Sequence, residues 1–130
     1  METRLVPRIT VQMKLLVMLD EKAEQNITLD SGKSFEAAVA DISEGGLGLI
    51  IKKYYLPKGT RVELAMDGAP FGLKKEMRFK VEVKYCKNYE VNMYRCGVKI
   101  IEISKERKDA IKTFIARYDK RQTPRLNLPE

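Results

Sequence analysis

Histidine is absent from this 130-residue sequence, and cysteine occurs only twice, as Cys86 and Cys96. Without histidine the chain lacks the commonest general base and the commonest metal ligand. Two cysteines are too few for a structural zinc site built from Cys and His, so no metal site is expected. Ser43 has no histidine to activate it as a nucleophile, and no catalytic residue is assigned. No apolar run approaches the ~18–20 residues that a membrane-spanning helix needs. The opening Met1-Glu2-Thr3-Arg4 lacks the charged-then-apolar layout of a secretion signal. These absences favour a cytoplasmic binding module over an enzyme.

Hydrophobic residues make up 44% and charged residues 33%, an ordinary globular balance. A chain of this length folds as one domain and buries roughly two thirds of its unfolded surface. Lys and Arg number 25 against 18 Asp and Glu, a net charge of +7. Residues 105–130 hold eight basic and four acidic groups, so more than half of the excess lies in the last fifth of the chain. That favours contact with something anionic without naming it.

Period-2 alternation dominates the first hundred residues. Ile9, Val11, Met13, Leu15, Val17 and Leu19 share one face of a first strand. Residues 20–33 read as a connection, with Asp30-Ser31-Gly32 as its strongest turn signal. Further strands are expected at 34–42, 46–52, 62–66, 77–85 and 94–103. In the fifth, Met77, Phe79, Val81, Val83 and Tyr85 form the core face, opposite Arg78, Lys80, Glu82 and Lys84. The period then changes: Ile111, Phe114, Ile115 and Tyr118 form the stripe of an amphipathic helix, with Ser104 as its N-cap. Pro124 and Pro129 mark a loose tail. Six short strands and one helix predict a small, mostly antiparallel barrel with the helix packed on it.

By the same alternation Cys86 shares the Lys84 face, whereas Cys96 shares the Val98 and Ile100 face. Side chains on opposite faces cannot bridge without a bulge, so two reduced thiols are expected. Tyr54-Tyr55 could stack on a base but reads first as loop packing, and Lys105, Lys108 and Lys112 as a solvated face.

Two short motifs stand out. Arg4-Leu5-Val6-Pro7-Arg8 is an R-x-x-x-R just before the first strand, and Asp41-Ile42-Ser43-Glu44-Gly45-Gly46 is a D-x-S-x-x-G between the second and third. Alone, the first reads as two solvated arginines and the second as a capped turn. Together and in this order, with Tyr94-Arg95-Cys96-Gly97-Val98-Lys99-Ile100 leading into the helix, they resemble the PilZ family. An isoleucine, Ile100, stands where that family usually has an aromatic residue.

The resemblance implies a six-stranded antiparallel PilZ-type β-barrel with a C-terminal α-helix. It implies one domain over 1–119: an N-terminal ligand-binding arm at 1–8, the barrel at 9–103 and the helix at 104–119, followed by a flexible basic tail at 120–130. It also implies a bacterial receptor for cyclic di-GMP that uses Arg4, Arg8, Asp41, Ser43 and Gly46, needs no cofactor and signals to a protein partner. The chemistry agrees. Guanidinium groups fork onto phosphate or guanine O6 and N7, and a carboxylate complements guanine N1–H and N2–H. The Ser43 hydroxyl can donate or accept, and Gly46 lets backbone and ligand approach closely. Pro7 keeps the arm extended, so Arg4 and Arg8 can reach different parts of one ligand about 13 Å apart. Glu44 is expected to face solvent. The alternative is a PilZ-like protein-interaction module that does not bind nucleotide; binding to a nucleic acid polymer is not expected, because exposed aromatics interleaved with basic residues are sparse.

Overall fold

The alternating segments pair edge to edge in the computed structural model, which describes residues 8–24, 27, 29 and 32–127. In chain order they are β1 (Arg8–Leu19), α1 (Glu21–Glu24), β2 (Ser34–Ser43), β3 (Gly46–Lys52), β4 (Arg61–Met66), β5 (Met77–Glu90), β6 (Met93–Glu102) and α2 (Lys105–Asn127). The strands close into an antiparallel barrel in the order β1-β2-β3-β6-β5-β4, which leaves no unpaired sheet edge among the described residues. Inward residues such as Val17, Leu49, Ile51, Leu64, Met77, Val81 and Val83 are fully buried.

The connection after β1 holds a single helical turn that the sequence reading did not separate from the loop. Asp20 starts it by accepting the Ala23 backbone N–H at 2.8 Å, the usual role of aspartate at a helix start, and Ala23 is buried. Of the expected Asp30-Ser31-Gly32 turn, Asp30 and Ser31 lie outside the described residues.

Register shifts interrupt the pairing of β1 with β2, β2 with β3 and β5 with β6, and two of them shape the site. In the β2–β3 pairing Val39 faces Leu49 and Asp41 faces Gly48, so Ala40 is an extra residue on β2. In the β5–β6 pairing Val83 faces Val98 and Tyr85 faces Gly97, so Lys84 is an extra residue on β5. An extra residue reverses the faces of everything beyond it. The first bulge keeps Ile42 in the core and turns Asp41 to the outer face. The second overturns two expectations: Tyr85 is not core but 40% exposed, and Cys86 lies opposite Cys96 with the two Sγ atoms 2.7 Å apart. Both thiols are unbonded.

Ser104 caps α2 as expected, its hydroxyl accepting the Arg107 backbone N–H at 3.3 Å. Ile111 and Ile115 are buried against the barrel, and the Phe114 ring meets Phe71 at 4.7 Å between centroids. The helix runs to Asn127, beyond the end at 119 that the sequence reading set. Lys120, Arg121 and Gln122 are good helix formers. The flexible tail expected at 120–130 is thus helical through Asn127; residues 128–130 lie outside the described part.

Candidate functional site

Four strands bring one row of residues side by side on the outer face of the barrel. Asp41 on β2 is the register partner of Gly48 on β3, Gly48 of Gly97 on β6, and Gly97 of Tyr85 on β5. The middle two have no side chain, and the geometry requires this. A Cβ on Gly48 would stand 2.8 Å from each Asp41 carboxylate oxygen and 3.0 Å from Arg95 Nη2. A Cβ on Gly97 would stand 2.3 Å from the Tyr85 ring. The result is a glycine-floored trough with the Asp41 carboxylate leaning over one glycine and the Tyr85 ring over the other.

Asp41 is held by two guanidinium groups. Arg8, at the start of β1, donates from Nη1 to Oδ1, and Arg95 on β6 donates from Nη2 to Oδ2 at 2.7 Å. Partial burial opposes ionisation of Asp41, but the hydrogen bonds and charges of Arg95 and Arg8 outweigh it and hold the carboxyl below its ordinary range. The hydrogen bond that Arg95 donates to Asp41 in turn raises the Arg95 guanidinium. Arg8 Nε is buried and has no hydrogen-bond partner among the described residues, so a donor remains to be satisfied there.

Ser43 is buried and donates its hydroxyl to the Gly46 carbonyl at 3.2 Å, tying the β2–β3 turn together. A Cβ on Gly46 would lie 2.4 Å from the Val98 carbonyl oxygen. Gly46 is therefore required by the approach of β3 to β6, a packing reason beside the close ligand approach inferred from sequence. Glu44 does not simply face solvent: it pairs with Lys112 of α2 at 3.5 Å and does not line the cavity.

Arg8, Asp41, Ser43, Gly46, Tyr85 and Arg95 line one cavity of about 430 Å³, with Lys84 and Lys99 also at its wall. Four of the five predicted site residues thus come together, and Arg4 lies outside the described residues. Sequence reasoning missed Tyr85 and Arg95, although an isolated glycine inside a strand, as at Gly48 and Gly97, signals a close approach. Tyr54 and Tyr55 stay out of the cavity and pack on Phe35 and Tyr94, at 4.9 and 5.6 Å between ring centroids. Chemically the cavity offers four cationic side chains, one carboxylate and one aromatic ring, over which Lys87 Nζ stands 5.5 Å from the centroid. That set suits an anionic ligand with a flat, hydrogen-bonding ring. Among the described residues no group of three His, Cys, Asp or Glu could hold a metal ion, and no helix is long and apolar enough to cross a membrane.

Solved structures share this fold. The Bacillus subtilis inhibitor of motility MotI/DgrA matches with a TM-score of 0.70 and 12% identity, over 100% of this chain and 55% of that one. MrkH of K. pneumonia, in complex with c-di-GMP, matches with a TM-score of 0.70 and 14% identity, over 96% of this chain and 56% of that one. The PilZ domain of YcgR from Escherichia coli, with c-di-GMP, matches with a TM-score of 0.66 and 12% identity, over 98% of this chain and 99% of that one. The chain thus spans about half the length of the MotI and MrkH chains and the whole of the YcgR domain. A comparison with curated proteins yields no match. The PilZ domain family model matches residues 2–117, nearly the whole chain, and the chain belongs to that family.

Proposed function

We propose that this chain is a bacterial cytoplasmic receptor for cyclic di-GMP, without catalytic activity, that passes the signal to a protein partner. The observation that carries this reading is the convergence of Arg8, Asp41, Ser43 and Gly46 on one cavity. Ligand complexes of MrkH and of the YcgR PilZ domain support the choice of ligand.

Arg8 keeps a buried Nε donor beyond its bond to Asp41, which a phosphate oxygen would satisfy. Asp41 would exchange one arginine for the N1–H and N2–H edge of a guanine, and the freed guanidinium would turn to phosphate or to guanine O6 and N7. Tyr85 would offer a face on which a base can stack once the Lys87 amine, 5.5 Å from the ring centroid, turns aside. Residues 1–119 act as one domain in this reading, and the arm at 1–8 brings Arg4 onto the same ligand. Its closure over the barrel alters the surface a partner meets.

Calorimetric titration with cyclic di-GMP at near-physiological salt, with GMP as the control ligand, tests the reading. A hydrogen bond to a charged group is worth about 1.5–3 kcal/mol, so Arg8→Ala should weaken binding about tenfold or more. Equal binding by the parent chain and Arg8→Ala would remove the assigned site. No heat at several temperatures, with an unchanged melting temperature, would favour the alternative of an interaction module that does not bind nucleotide.

A further inference from the structure

We propose that Cys86 and Cys96 form a redox-active dithiol, a modification site for hydroperoxides that closes to an intrachain disulfide. The two residues are direct register partners across β5 and β6. Directly opposed residues of an antiparallel pair have Cα atoms about 4.5–5.5 Å apart, within the range of about 4.4–6.8 Å that a disulfide accepts. The bulge at Lys84 turns both side chains to the same face, and their Sγ atoms stand 2.7 Å apart. Only a small displacement separates this arrangement from a bond. No other cysteine exists in the chain, so the intramolecular product is unique.

The two thiols differ in ways that assign them different roles. Cys96 is fully buried, and burial first, then the hydrogen bond with Cys86, pushes its thiol up. Cys86 is half-buried, and its Sγ accepts the Leu56 backbone N–H at 3.5 Å. A small oxidant from solvent reaches Cys86 first. The Cys86 thiolate attacks one peroxide oxygen; the O–O bond breaks, the sulfur becomes a sulfenic acid and hydroxide leaves to be protonated as water. Cys96 then loses its proton and attacks the Cys86 sulfur, forming the S–S bond and expelling a second hydroxide, which leaves as water. In total, two thiols and one hydrogen peroxide give one disulfide and two waters. The thiols lose two electrons and the peroxide gains them. Buried structural cysteines stay inert, whereas redox-sensing cysteines have access to solvent and a resolving partner. This pair has both. It also adjoins the cavity, because Tyr85 precedes Cys86 and Arg95 precedes Cys96.

The test exposes the folded full chain to a small excess of hydrogen peroxide, then denatures and alkylates it for intact-mass analysis. The expected product has lost the mass of two hydrogens and both alkylatable thiols, and dithiothreitol restores them. Peptide mapping without reductant should show the Cys86 and Cys96 peptides joined. Cys96→Ala, which keeps the buried position apolar, should stop at a sulfenic acid on Cys86 that dimedone traps. In Cys86→Ser the remaining buried thiol should stay alkylatable. Two alkylatable thiols surviving in the parent chain would overturn the proposal. So would oxygen uptake on either cysteine without the cross-link, or disulfide-linked dimers as the main product.

Discussion

Asp41 is the residue on which the candidate site turns, because Arg8 of β1 and Arg95 of β6 share its carboxylate. Its folded-state pKa lies below the unfolded value of about 3.9. The linked stability is therefore fully present above that value and disappears as pH falls through the lower folded-state pKa. We predict that Asp41→Asn lowers the melting temperature at neutral pH and that its gap to the parent chain closes below about pH 4. Arg95 is 36% exposed in its side chain, so solvent screening limits the neutral-pH loss to about 1–2 kcal/mol. Thermal scans of both proteins across the acid range check this. A Cβ at Gly46 meets backbone, the Val98 carbonyl, whereas one at Gly97 meets the Tyr85 ring, a side chain able to swing away. Gly46→Ala should therefore cost about 1–3 kcal/mol in urea unfolding and Gly97→Ala distinctly less, while Gly97→Ala displaces the ring from the trough.

The strands themselves were readable from the sequence, and their side-chain faces only partly so. Alternation located six strands to within a few residues, and the change of period at Ile111 located the helix, because buried and exposed positions recur at each element's own repeat. The helix end was misplaced, because Pro124 is a strong breaker in isolation. The bulges at Ala40 and Lys84 were invisible for a different reason. Lys84 follows Val83 in perfect alternation, so nothing in the local pattern marks it as an extra residue; only pairing with β6 does. Yet these bulges turn Asp41 and Tyr85 outward and Cys86 toward Cys96. The motif residues were legible from their spacing, whereas Tyr85 and Arg95 depended on which strands become neighbours. The docking of α2 depends on Ile111, which is fully buried. Ile111→Ala should cost about 2–5 kcal/mol in urea unfolding, and a cost below 0.5 kcal/mol would contradict that packing.

Across the whole molecule, the basic excess and the cavity point the same way. The net charge is +7, and Arg8, Lys84, Arg95 and Lys99 all reach the cavity around a single carboxylate. Affinity for a doubly charged phosphodiester should fall as salt rises from about 0.05 to 0.5 M, since the Debye length shrinks with ionic strength; titrations at a series of salt concentrations would show it. The Glu44–Lys112 pair ties α2 to the turn that carries Ser43 and Gly46, which gives the helix a direct link to the site. In the function proposed above, cyclic di-GMP binds in the glycine-floored trough. Amide chemical-shift mapping of the full chain during titration with the nucleotide tests it most directly. Saturable shifts are expected at Asp41–Gly46, Tyr85 and Arg95–Lys99, with α1 and β4 unmoved. Saturable shifts confined to α1 and β4, or none at ligand excess, would contradict it.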